Sequence, residues 1–133
     1  MKLLRYNTKF KPKIISLVDN IETLTAISND LDYSEVFKHQ AESLAERGDI
    51  FIIVSSSGNS ENVVKLAKWA KTKNFKVISF TGFNGGKLKK SSTINININE
   101  NNYGRIEDSH HILMHVIMHY IVLSNKHIKN IRL

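Results

Sequence analysis

The chain has 133 residues, 41% of them hydrophobic, enough for one compact domain that buries roughly two thirds of its unfolded surface. Its formal charge of +7 rests on 15 Lys and only 4 Arg, scattered among abundant Asn and Ile; this argues against a nucleic-acid surface, where Arg is favoured, but leaves a long-range pull on anions. The absence of Cys excludes disulfides, thiolate metal sites and a Cys nucleophile, and no stretch has a signal-peptide core or approaches 18 apolar residues, so a cytoplasmic protein with no membrane span is expected.

In chain order, Pro12 precedes the apolar run IISLV at 14–18, which reads as a buried strand. From Ile21 to Arg47 the pattern is helical, in two pieces broken near Asn29 and Asp30, with Phe37, Ala41, Leu44 and Ala45 forming a narrow apolar face. Gly48 reads as the C′ residue of that helix, and Asp49 opens IFIIV, apolar at every position as in a strand covered on both faces. Val63, Val64, Ala67 and Ala70 then recur at helical spacing, Lys73 and Asn74 close the helix, and KVISF at 76–80 is the next strand. This is a βαβ unit. TGFNGGKLKK supplies a glycine-rich turn, STINININ alternates Ile94, Ile96 and Ile98 with polar residues as a half-exposed strand near a sheet edge, and a long helix starts at about Tyr103. The predicted fold is α/β: a single domain over 1–133 with a doubly wound parallel sheet of about four strands flanked by helices.

The segment VSSSGNSENVV, from Val54, joins a strand to a helix, where ligands of open parallel sheets sit. Unpaired N–H groups at a helix start bind anions, serine hydroxyls add donors without bulk, and a glycine allows close backbone approach. The loop lacks the Lys of a GxxxxGK[ST] loop and the spacing of GxGxxG, so it suits a phosphate monoester rather than a nucleotide triphosphate or a dinucleotide. An ordinary helix cap at Ser60 is the competing explanation, although four serines with Gly58 and Asn59 exceed what a cap needs.

The last helix carries Glu107, Asp108, His110, His111, His115 and His119 within 13 positions. Glu107, His111, His115 and His119 are spaced by four and share a stripe, beside apolar Ile106, Leu113, Ile117 and Ile121. Histidine titrates near neutrality and binds divalent metals, so the stripe can supply an acid/base, a metal ligand or both. The spacing is not HExxH and forces no metal. His110 and His119 read as surface or packing residues, and His115 also fits a satisfied core histidine.

GDIFIIVSSSGNSENVVKLAKWAKTKNFKVISFTGFNGGKL resembles the core of a SIS (sugar isomerase) domain. Together with RIEDSHHILMH, it is most similar to the phosphoheptose isomerases, over about residues 5–120. The resemblance implies an aldose–ketose isomerase acting on sedoheptulose 7-phosphate through an enediol. Ser55, Ser57 and Ser60 would hold the phosphate, Asn59 would shape the loop, and Asp30 of TAISND would face substrate hydroxyls. Read without the resemblance, Asn29 and Asp30 are a helix-ending pair. His115, and Glu107 where the family has Gln, correspond to positions at the reaction centre and its zinc.

Eight residues of helix rise about 12 Å, which points to sites shared between subunits. The family's first half also has a strand ending in a GNGGS-type loop and a helix with a His and a Glu. Neither has a counterpart in this sequence, which therefore reads as a fragment or a shortened relative. With apolar sheet surface uncovered, a homo-oligomer is expected, a dimer or tetramer with the histidine stripe near a subunit boundary. A non-catalytic sugar-phosphate-binding or protein-interaction module is the alternative.

Overall fold

The computed structural model describes residues 12–124. Helix α1 spans Ile21–Asp30 and starts at Asn20, whose side-chain oxygen accepts the Thr23 N–H at 3.0 Å and so satisfies one of the donors a helix start leaves unpaired. A 3-10 turn at Tyr33–Glu35, capped by Asp32, leads into α2, Val36–Leu44. Three strands follow: β1 at Ile50–Ser55, β2 at Lys76–Gly82 and β3 at Ile94–Ile98. Helix α3, Glu61–Thr72, joins the first two, and α4, Gly86–Ser91, joins the second and third. Helix α5 is Tyr103–Ser124. The chain divides into two compact units, Ser16–Glu107 and a second whose described part is residues 12–15 and 108–124.

All pairing is parallel in the order β1-β2-β3, with Ile53 opposite Ser79 and Ser79 opposite Asn95. This is the α/β class that the alternation of elements predicts, with three strands among the described residues rather than about four. Ile53 and Val77, with Phe51 partly buried beside them, meet Ala41 of α2, Leu66, Ala67 and Ala70 of α3, and Leu88 of α4. Full burial of a side chain such as Leu66 contributes about 1.5–3 kcal/mol. Farther along this face the sheet becomes polar and pairs its own groups. The Asn95 amide donates to the Ser79 and Thr81 hydroxyls at 2.8 and 2.9 Å, and the Thr81 hydroxyl donates to Asn97 Oδ1 at 2.8 Å. Ser79 and Thr81 are fully buried, so this pairing avoids the cost of orphaned polar groups.

Four local expectations are corrected. IISLV is not a strand: residues 14–16 are irregular and Leu17 and Val18 lie in a turn. The Leu17 carbonyl accepts the Gln40 side-chain amide at 3.0 Å, so a side chain of α2 takes the place of a ladder partner. Helix α2 ends at Leu44, and Gly48 sits beyond it at φ +101 in the turn where the Asp49 N–H donates to the Glu46 carbonyl. Leu44 is exposed, whereas Ala41 and the partly buried Phe37 of the expected face do reach the core, and α2 buries Val36 and Gln40 besides. Finally, β1 is covered on one face only. Ile50, Ile52 and Val54 are 54%, 65% and 46% exposed, and among the described strands β1 pairs with β2 alone.

The 3-10 turn is tied to α3 by Lys65, whose ammonium donates to Ser34 Oγ and to Glu35 Oε1, the latter at 2.9 Å. Hydrogen bonds from Lys65 and then Lys38 hold the Glu35 carboxyl below its ordinary range, and Glu35 in turn raises Lys65. A depressed carboxyl stabilises the fold above its unfolded value near 4.5, and that contribution is lost as pH falls through the lower native value. Lys65→Met is therefore expected to lower the melting temperature at pH 7, with the two melting curves converging well below pH 4.5. A difference that persists in acid would show that the bond to Glu35 is not its source.

Candidate functional site

The carboxyl end of β1 runs through residues 55–60 into α3, a connection shaped by hydrogen bonds of its own. The Gly58 N–H donates to the Ser55 carbonyl at 3.0 Å, and the Asn59 N–H to Ser57 Oγ at 3.2 Å. Gly58 has φ +62, a conformation that costs any other residue strain. A second loop braces the first from the end of β2. The Gly82 N–H donates to the Ser56 carbonyl at 2.7 Å, the Leu88 N–H to the Gly58 carbonyl at 2.9 Å, and the Lys87 N–H to Asn59 Oδ1 at 3.1 Å. The two loops touch through glycines: a Cβ on Gly58 would fall on the Gly85 carbonyl, and one on Gly86 would lie 2.5 Å from the Ser57 oxygen.

Ser60 immediately precedes α3, but its side chain makes no capping bond, so the cap alone does not account for this serine. Neither the Ser55 nor the Ser60 hydroxyl hydrogen-bonds to another described residue. Ser55 and Ser57 are half-buried, while Asn59 and Ser60 are exposed. The uncommitted Ser60 hydroxyl thus belongs to the residue that opens a twelve-residue helix, where the backbone dipole favours negative charge.

Asp30 is the exposed last residue of α1, and its carboxylate accepts the Asn29 amide at 2.9 Å. This matches the bare reading of the two as a helix-ending pair, and among the described residues no hydrogen bond joins Asp30 to the serine loop. The partners Ser34, Glu35 and Lys65 were missed from sequence. Only the D-x-S cap at 32–34 is a local signal, and the Glu35–Lys65 pair spans 30 residues.

On α5, Asn102 accepts the Arg105 N–H at 3.1 Å, and Ile106 is buried against Gly82 at the end of β2. Glu107 is exposed and closes the larger unit. In the second unit His111 and His115 are exposed and His119 is half-buried, with the rings of His115 and His119 6.4 Å apart. His115 is therefore not a core histidine; among the described histidines the buried one is His110, at 1% exposure. Ile112, Val116, Tyr120 and Leu123 are exposed on the same helix. Among the described residues no group of three or more His, Cys, Asp or Glu is placed to hold a metal ion. Glu107 and His115 alone do not make a zinc site. None of the described helices is long and apolar enough to cross a membrane.

The sequence matches the SIS domain family over residues 2–82. It is 41% identical over 103 residues to the phosphoheptose isomerase of Helicobacter hepaticus, covering 77% of this chain and 53% of that protein. It is 40% identical over 107 residues to the phosphoheptose isomerase of Aliarcobacter butzleri, covering 80% and 57%. Among solved structures, the phosphoheptose isomerase of Neisseria gonorrhoeae superposes with a TM-score of 0.78 at 33% identity, covering 80% of this chain and 61% of that one. That of Francisella tularensis gives 0.78 at 28% identity, covering 82% and 59%. The chain spans about half the length of the relatives it matches in sequence. The strand, serine loop and helix at 50–72, braced by the glycine turn after β2, lie within or beside the matched region, and the chain belongs to the SIS domain family.

Proposed function

We propose that this chain carries the sugar-phosphate site of a phosphoheptose-type isomerase, which interconverts sedoheptulose 7-phosphate and the corresponding aldoheptose 7-phosphate. The observation that carries this is the serine loop with its uncommitted Ser55 and Ser60 hydroxyls, in a chain whose relatives bear that name. Ser55, Ser57 and Ser60 donate to the phosphate, Asn59 holds the loop in shape, and Asp30 accepts from sugar hydroxyls. The net charge of +7 draws the anionic substrate in.

The reaction moves one proton from C1 to C2. A base takes the C1 proton while the C2 carbonyl oxygen gains one, giving an enediol. Return of a proton to C2, with loss of the C1 hydroxyl proton, yields the aldehyde. His115 serves as the acid/base and Glu107 as the second proton carrier. A zinc ion, which would polarise the carbonyl when bound, would need ligands beyond Glu107 and His115 from outside the described residues or from a second copy.

The serine loop with its uncommitted hydroxyls serves a second reading equally well, a SIS module that binds sugar phosphate without turning it over. Calorimetric titration with heptose 7-phosphate beside an isomerase assay separates the two. Binding with turnover supports the isomerase, binding alone supports the module, and no binding removes both.

The proposal includes self-association, supported by the exposed Ile50, Ile52, Val54 and Ile94 on one sheet face. Sedimentation equilibrium at micromolar concentration is expected to give a dimer or tetramer. A folded monomer of 15.2 kDa would remove the shared site as well.

A further inference from the structure

We infer that the glycine turn at residues 84–85, with the start of α4 at residues 86–88, is the positioning element of the serine loop, holding it in the form that receives an anion without itself supplying a ligand. This rests on the phosphate reading of that loop. The connection between the loops is specific. Leu88 and Lys87 each give a backbone N–H to the serine loop, one to the Gly58 carbonyl at 2.9 Å and one to the Asn59 side chain at 3.1 Å. Both acceptors belong to residues whose own conformation decides where the Ser57 and Ser60 hydroxyls stand. Gly86, at φ +55, lies so close that a methyl group would meet the Ser57 oxygen at 2.5 Å and the Gly58 oxygen at 2.6 Å.

Register explains why this partner is available: Ser55 and Thr81 are paired in the parallel sheet, so the loops leaving β1 and β2 emerge side by side at the same edge. The turn is itself preset, with the Gly85 N–H donating to the Gly82 carbonyl at 2.8 Å and the Gly86 N–H to Asn84 Oδ1 at 3.1 Å. The serine loop has only short internal bonds and would otherwise pay for its order when the anion arrives.

Linkage makes this testable, because whatever holds the loop ready for phosphate must be strengthened by phosphate in return. Inorganic phosphate is titrated into the isotope-labelled full chain, and amide shifts and hydrogen exchange are followed by NMR. In the unaltered protein the amides of residues 55–61 are expected to shift, and the Lys87 and Leu88 amides to exchange more slowly as the site fills. Asn59→Ala, at an exposed position, should keep the melting temperature near that of the parent, lose the extra protection at Lys87, and bind phosphate about tenfold more weakly, as loss of one hydrogen bond implies.

Gly86→Ala should expose the Gly82 and Leu88 amides to exchange even without phosphate; if that variant does not fold, Asn59→Ala carries the test alone. If phosphate shifts residues 55–61 but leaves Lys87 and Leu88 unprotected, or if Asn59→Ala binds as tightly as the parent, the inference falls while the phosphate site stands. If phosphate shifts nothing in the parent, both fall together.

Discussion

Replacing His115 with alanine is expected to lower isomerase turnover by about two to four orders of magnitude, the range general acid–base groups contribute, while leaving sugar-phosphate affinity within a few-fold. The imidazole is exposed on α5, so its truncation opens no cavity, and among the described aromatic rings it pairs with His119 alone. Binding is assigned to hydroxyls on the serine loop, so loss of the imidazole should lower kcat and kcat/KM together. Steady-state kinetics on the heptose 7-phosphate, with circular dichroism to verify folding, decides the matter. Unchanged turnover would remove His115 from the chemistry and with it the isomerase reading.

The second large effect concerns stability. Gly58→Ala should lower the melting temperature by about 10 °C, corresponding to about 3 kcal/mol in a chain of this size. Two costs add. An alanine held at φ +62 costs about 1–2 kcal/mol, and its Cβ would land on the Gly85 carbonyl, forcing the two loops apart and breaking the bond from the Leu88 N–H.

Gly48 provides the comparison. It also has positive φ, at +101, but a Cβ there meets nothing within 4 Å, so Gly48→Ala should show the conformational cost without the collision. Melting curves of the two variants measured together separate the contributions. Equal shifts would mean that the loops part without penalty and that the glycine contact is incidental. Phosphate binding offers a second readout, expected to be lost in Gly58→Ala and kept in Gly48→Ala.

Elements whose signal is local were legible in the residues. The β-branched runs at 50–54 and 76–80, the helical spacing of Val64, Ala67 and Ala70 between them, and the closure at Lys73 and Asn74 all correspond to what forms. The position of the serine loop, between a strand end and a helix start, was legible for the same reason. Each of these depends on backbone periodicity and on residues within one turn of each other.

What failed depended on distant partners. A five-residue apolar run such as IISLV fits a strand or an irregular segment equally well, and the Gln40 amide, 23 residues away, takes the Leu17 carbonyl. An apolar pattern marks what can be buried, not what arrives to bury it, so IFIIV could not show that Ile50, Ile52 and Val54 would face outward. Likewise the serines marked the loop expected to receive an anion, but the residues that brace it lie 28 positions on, at Gly86 and Lys87. Parallel pairing of Ser55 with Thr81 brings those two turns to one edge of the sheet. Sequence by itself determined the conformation of the strongly periodic segments at 50–54, 61–72 and 76–80, because dihedral preferences and side-chain period act over a few residues. Only the tertiary structure decided which segments meet, because strand register joins loops that no local preference relates.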